Sequence, residues 1–157
     1  MSKTTPATLA LDRAGVAYTL ATYDYEPNAE RIGMQAAQAL GASPAEVLKT
    51  LIVRADGKPA CVVLASDREV SMKKLAAALH AKTAEMMPPA DAERITGYRV
   101  GGVSPFGQKK RLPTVLDAAA AALPQAYMNG GQRGLQVRLA PADLVGVLDA
   151  TVAEIAA

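Results

Sequence analysis

The sequence predicts an α+β protein: short helices flanking a mixed, strongly curved β-sheet. Three observations carry that expectation. Strand-like and helical stretches follow one another at irregular intervals, which argues against a regular βαβ repeat. LKTLIVRA and PACVVLAS flank Asp56-Gly57-Lys58, the clearest hairpin signal in the chain. QAYMNGGQRGLQVRL reads as a second hairpin turning around residues 129–131.

Each element has a local reason. Thr5 followed by Pro6 suits an N-cap and first-turn proline, and Gly15 suits a helix end, so residues 6–14 are predicted helical. VAYTLATY, residues 16–23, alternates as a strand. A second helix is expected over residues 33–40, stopping at Gly41, and Ser43-Pro44-Ala45-Glu46 has the capping-box spacing that starts a short helical turn. The hairpin strands of residues 48–55 and 59–66 are expected at the sheet centre. Ser71 caps a helix over residues 72–80, TAEMM is a short strand ending at Pro88-Pro89, and another short helix ends near Ile95. RLPTVLD is a strand followed by an alanine-rich helical turn, residues 141–148 form the closing helix, and TVAEIA adds a last strand.

At 157 residues the chain has the size of one domain. No window approaches the roughly 18 uninterrupted apolar residues that a membrane helix needs, and the start of the chain has no export-signal pattern. A reducing cytoplasm is the expected location, and it suits a lone cysteine, Cys61, set in the apolar run CVVLA. The net charge is only +2, yet residues 94–138 carry Arg94, Arg99, Lys109, Lys110, Arg111, Arg133 and Arg138 against Asp117 alone. Such a segment is either a solvated basic face or a surface for a polyanion.

Several chemistries are excluded. His80, the one histidine, falls at a predicted helix end, and one His with one Cys makes no zinc cluster and no evident Cys-His pair. Residues 102–109 fail as a phosphate loop, because Gln108 stands where the lysine must follow the second glycine. Gly101-Gly102 either forms a tight bend or turns peptide N–H groups toward a carbonyl or its oxyanion. Lys49 shares a strand face with Leu51 and Val53, so it either buries its stem and reaches solvent or lines a pocket as a positive donor.

KTLIV at residues 49–53, TGYRVGGVSPFGQKKRLP at residues 96–113 and YMNGGQRGL at residues 127–135 together resemble the bacterial YbaK/EbsC family. TPA near the start, YDYEP after the first strand and ADLVGVLDA near the end agree in order, so the resemblance spans practically the whole chain. Members are free-standing editing enzymes related to the insertion domain of bacterial prolyl-tRNA synthetases, and YbaK itself hydrolyses Cys-tRNA(Pro).

The resemblance implies one compact domain over residues 1–157 with a mixed, barrel-like β-sheet. It implies a trans-editing aminoacyl-tRNA deacylase acting on mischarged Cys-tRNA(Pro), needing no cofactor or metal, with tRNA(Pro) and prolyl-tRNA synthetase as partners. By position it makes Lys49, Gly101 and Gly102 catalytic. It assigns Tyr23, Ile32, Thr50 and Ser104 to the substrate, and Lys109, Lys110, Arg111 and Arg133 to tRNA. The implied nucleophile is the substrate's own thiol, attacking its ester carbonyl. The chain departs from the family pattern at residues 32–35, and at Asn129 and Gln132, where serine and lysine are usual. A deacylase for Ala-tRNA(Pro) or another small aminoacyl-tRNA, and a non-catalytic tRNA- or synthetase-binding module, are the alternatives.

Overall fold

The computed structural model describes residues 4–26 and 32–157, with backbone alone at residues 32 and 33. Its elements run α1 (Pro6–Arg13), β1 (Thr19–Thr22), α2 (Ile32–Leu40), a 3-10 turn (Pro44–Glu46), β2 (Leu48–Ala55), β3 (Lys58–Ala65), α3 (Met72–Ala78), β4 (Ala84–Met86) and α4 (Pro89–Thr96). They continue with β5 (Thr114–Asp117), α5 (Ala118–Ala121), β6 (Ala126–Asn129), β7 (Leu135–Leu139), α6 (Pro141–Leu148) and β8 (Thr151–Ala153). Thr5 caps α1 by accepting from the Thr8 N–H, and Ser71 caps α3 by accepting from the Lys74 N–H.

The strand of residues 16–23 is shorter than its alternation predicts. The Val16 N–H is held by the Leu11 carbonyl in the turn that ends α1, and pairing with β7 begins only at Thr19 opposite Arg138. The strand predicted over residues 111–117 likewise begins at Thr114, after Pro113, which has no N–H to give a ladder.

Two sheets result, one mixed and one antiparallel. The larger sheet has the order β4-β2-β3-β5-β8, with β3 parallel to β5 and β5 parallel to β8, and the smaller has the antiparallel order β1-β7-β6. A parallel bridge between Val47 and Tyr127 links them, and among the described residues the strands do not close into a barrel. β2 and β3 are interior, as their apolar runs predict. β3 separates two cores: Cys61 and Val63 face the one containing Phe106, Leu116 and Leu144, while Val62 and Leu64 face the one under α3 with Leu75 and Ile155. With both faces covered, β3 reads as a continuous apolar run and not as an alternation. Among the described residues no helix is long and apolar enough to cross a membrane.

One irregularity places the site. β4 pairs with β2 only at Val53, Arg54 and Ala55, and the Met87 N–H reaches the Ile52 carbonyl, so the start of β2 has no strand on that edge until the Val47–Tyr127 bridge. Backbone groups alternate sides along an antiparallel strand. Because the Ile52 carbonyl points to that edge, the N–H and C=O of Thr50 point there too.

Candidate functional site

A cavity of about 350 Å³ occupies this gap. Val47, Leu48, Leu51 and Ile52, the methionines Met86 and Met87, and Val100 and Val103 give it a mainly apolar wall. Its polar groups come from four separate segments: Tyr23 after β1, Lys49 and Thr50 on β2, Gly101 in the loop after α4, and Asn129 and Gln136 on β6 and β7. A largely apolar pocket with a few convergent polar groups is the usual form of a small-ligand site.

Lys49 keeps the face that alternation assigns it, with Leu51 and Val53 on the α3 side. Its ammonium lies 3.8 Å from a carboxylate oxygen of Glu69, and the lysine side chain is 21% exposed against 76% for the glutamate. A pair so open on one side is weak and competes poorly with an anionic ligand. Thr50 and Gln136 carry the two buried side-chain oxygens, Oγ1 and Oε1, that have no hydrogen-bond partner among the described residues. An unpaired buried acceptor is unfavourable by about 1–3 kcal/mol, and both belong to residues that line the same cavity. Gln136 sits in register between Ala21 of β1 and Asn129 of β6. Burial raises the Tyr23 hydroxyl above its ordinary pKa, the neighbouring Tyr25 adds to this, and a hydrogen bond with Gln136 partly offsets it. Tyr23 therefore enters the site as a neutral hydroxyl.

The glycine loop is held from both ends. Gly97, at φ +81°, terminates α4, and the Glu93 carboxylate accepts the Val100 N–H at 2.8 Å. At Gly101, φ is +88° and the Tyr25 hydroxyl rests where a Cβ would stand, so no other residue fits without displacing that ring. Asn129 ties this loop to the β6–β7 turn: its Nδ2 donates to the Gly101 carbonyl at 3.1 Å while its Oδ1 accepts the Gly131 N–H at 2.7 Å. Gly101 lines the cavity, and its own N–H has no partner among the described residues.

The expectation that both glycines offer N–H groups is corrected for Gly102. Its N–H donates to the Arg99 carbonyl at 2.8 Å, closing a turn, and its Cα packs against the backbone of Gln132 and Arg133. The bend explains Gly102, while the ligand-facing reading stays with Gly101.

Lys49, Thr50, Tyr23 and Gly101 are thus brought together from distant stretches. Ser104 is not: it is fully buried beside the cavity, its hydroxyl accepting the Phe106 N–H at 3.2 Å and shaping the loop. Lys109, Lys110 and Arg111 are exposed further along that loop and do not line the cavity, and Arg133 belongs to a second cavity that shares Tyr23. The side chain of Ile32 lies outside the described residues. Cys61 is fully buried, and burial pushes its thiol pKa up to about 12. His80 is exposed just past α3 at φ +57°, the helix-end position its spacing predicts. Neither lines the cavity. Gln136 and Asn129 were not expected in the site. Asn129 was visible only as a departure from the family pattern, and Gln136 had no local signal, since a polar residue in an alternating strand ordinarily faces solvent.

The family model described as the aminoacyl-tRNA editing domain matches residues 26–147. EbsC of Enterococcus faecalis, named as a candidate Cys-tRNA(Pro)/Cys-tRNA(Cys) deacylase, is 36% identical over 120 residues, covering 76% of this chain and 73% of that protein. A proline–tRNA ligase of Caldicellulosiruptor saccharolyticus is 39% identical over 83 residues, 53% of this chain but only 14% of the ligase. In fold, the chain is similar to the crystal structure of a candidate trans-editing enzyme for prolyl-tRNA synthetase, with a TM-score of 0.81, 22% identity and coverage of 97% and 95% of the two chains.

Proposed function

We propose that this chain, which belongs to the aminoacyl-tRNA editing domain family, is a cytoplasmic trans-editing deacylase for mischarged Cys-tRNA(Pro), with the β2 cavity as its aminoacyl site. The observation that carries this reading is one mostly apolar cavity joining an ammonium, an unpaired backbone N–H and two unpaired side-chain oxygens, with neither the cysteine nor the histidine in its lining. The similarity to EbsC and to the ligases supports the same substrate class and a prolyl-tRNA synthetase partner.

The roles follow from charge and geometry. The α-ammonium of an aminoacyl ester needs acceptors, and the Gln136 Oε1 and Thr50 Oγ1 are free to accept. The ester carbonyl gains negative charge as it is attacked, and the Lys49 ammonium with the Gly101 N–H would stabilise that oxyanion in a partly dry site. A bound cysteinyl ester brings its own nucleophile. Its Sγ bonds to the carbonyl carbon, the bond from that carbon to the ribose oxygen breaks, and the thiol proton ends on the departing ribose hydroxyl. Water then opens the cyclic thioester to free cysteine. Tethering the nucleophile supplies the proximity that a protein side chain would otherwise provide. Such an editor is needed because a synthetase pocket separates small side chains by only about 1–3 kcal/mol.

A deacylation panel tests this. Cys-tRNA(Pro) is expected to be the best substrate, with Ala-tRNA(Pro) and Cys-tRNA blocked by S-methylation each slower by at least about tenfold. Cys61→Ala and His80→Ala should both keep substantial activity. Efficient turnover of Ala-tRNA(Pro) would move the protein to the alternative editing class, and no turnover of any member of the panel would leave it a binding module.

The exposed cations of residues 109–111 supply the face for the tRNA body in this reading. Lys109 is held there by donation of its N–H to the Thr96 carbonyl at 2.8 Å. Replacing Lys109, Lys110 and Arg111 by alanine should weaken tRNA binding and lower the slope of log K against log salt by about 2–3, since each of the three lost phosphate contacts removes about 0.7–0.9 of a released counterion. An unchanged slope would assign these residues to solvent alone.

A further inference from the structure

We propose that the second cavity, next to the aminoacyl cavity, seats the 3′-terminal nucleoside of the substrate, with Tyr25 and Arg133 as its stacking wall. This inference rests on the deacylase reading for the identity of the ligand, and on separate residues for the site. The cavity has a volume of about 510 Å³ and is formed by two short stretches, residues 22–25 and 132–135. Tyr23 belongs to both cavities.

The two cavities differ in chemistry in the way that the two halves of an aminoacyl nucleoside differ. The first is mainly apolar around Lys49. The second presents Thr22, Asp24, Gln132 and Arg133, which match the hydroxyl, amino and phosphate groups of a nucleotide. An ester joins its acyl group directly to the ribose, so whatever lies beside the acyl cavity meets the sugar and base.

Arg133 is preorganised for this. Its guanidinium carbon stands 5.2 Å from the centre of the Tyr25 ring, and its Nε donates to the Val100 carbonyl at 2.9 Å. These two contacts set the plane of the guanidinium, and among the described residues no carboxylate pairs with it. Its terminal N–H groups and outer face remain open to a base or to the adjoining phosphate. Tyr25 in turn spans the boundary, because its hydroxyl sits on Gly101, which lines the first cavity. The floor is rigid backbone: the Gly134 carbonyl accepts the Tyr23 N–H at 2.9 Å, and Gly134, at φ +79°, packs its Cα on the Tyr23 carbonyl. A flat cation stacked on an aromatic ring is a platform on which any base can stack.

The test uses the full chain labelled with ¹⁵N and titrated with adenosine 5′-monophosphate, with ribose 5-phosphate as the control. Adenosine monophosphate is expected to shift the amides of Gln132, Arg133 and Gly134, and ribose 5-phosphate to bind at least about tenfold more weakly. Tyr25→Leu and Arg133→Gln should each weaken the nucleotide about tenfold, while Tyr25→Phe retains it. In turnover, Tyr25→Leu should raise KM about tenfold with kcat within about twofold, because the nucleoside is held equally in the ground and transition states. A collapse of the loop would instead lower kcat. Absent shifts, shifts that both Tyr25→Leu and Arg133→Gln leave unchanged, or equal binding of ribose 5-phosphate would each overturn the nucleoside site. Nucleotide binding here by a protein that deacylates no aminoacyl-tRNA would sink the deacylase reading and uphold the site. Deacylation with no nucleotide shifts and an unaltered KM in Tyr25→Leu would do the reverse.

Discussion

Lys49→Met is expected to lower kcat/KM for Cys-tRNA(Pro) about 100- to 1000-fold while the protein stays folded, the loss typical of removing one preorganised oxyanion donor. Methionine keeps the length and apolar stem of lysine, so the strand face shared with Leu51 and Val53 is still filled. The ion pair lost with Glu69 is half open to solvent and stabilises little. Circular dichroism and thermal melting should therefore match the parent protein, and single-turnover deacylation should carry the whole effect. Arginine at this position would keep the charge but spread it over a plane of another shape, so it should rescue only in part. Near-normal turnover by folded Lys49→Met would remove the lysine from the chemistry and leave the cavity to Gly101 and its neighbours.

Gly107→Ala is expected to destabilise the fold by about 3 kcal/mol, through a strained backbone and a forced separation of packed segments. Gly107 has φ +64°, and a Cβ there would overlap the Pro6 carbonyl oxygen and stand 2.9 Å from the Ala7 nitrogen. Those are backbone atoms at the start of α1 and cannot swing aside. Ala7 and Phe106 are both fully buried, and the Tyr98 hydroxyl donates to the Phe106 carbonyl at 2.5 Å, so the loop has no slack in which to move. Urea denaturation measures this directly. A loss below about 1 kcal/mol would mean that α1 shifts as a unit and that its contact with the loop matters little.

Much of the fold was legible because its signals are local. Thr5-Pro6, Ser71 and the glycines at residues 15 and 41 punctuate helices through single-residue conformational preferences. Asp56-Gly57 closes the central hairpin, where Asp56 has φ 49° and Gly57 φ 78°, a pair of left-handed residues that these types tolerate. The strand ends were less legible. Whether residue 16 or residue 19 opens β1 depends on where its partner β7 lies, and alternation along one strand carries no information about a neighbour more than a hundred residues away.

The site divides in the same way. Lys49 stood out because a cation broke an apolar face, and Gly101-Gly102 because paired glycines mark close approach. Gln136 gave no such sign, and its role comes from lying between β1 and β6 with an oxygen that nothing among the described residues satisfies. The division of labour between the two glycines was equally hidden, since both have the same local freedom and only the positions of Arg99, Tyr25 and the β6–β7 backbone tell them apart.

By itself, then, the order of residues determined the helices, the two hairpins, the apolar centre at β3 and the family to which the glycine loop belongs. These follow from dihedral preference and hydrophobic period, which act over a few residues. Only the tertiary structure decided that β4 stops short on β2, that a cavity opens in the gap it leaves, and that Tyr23, Lys49, Gly101 and Gln136 meet there. Cavities and unpaired groups are properties of what packing fails to fill, and that depends on every element at once.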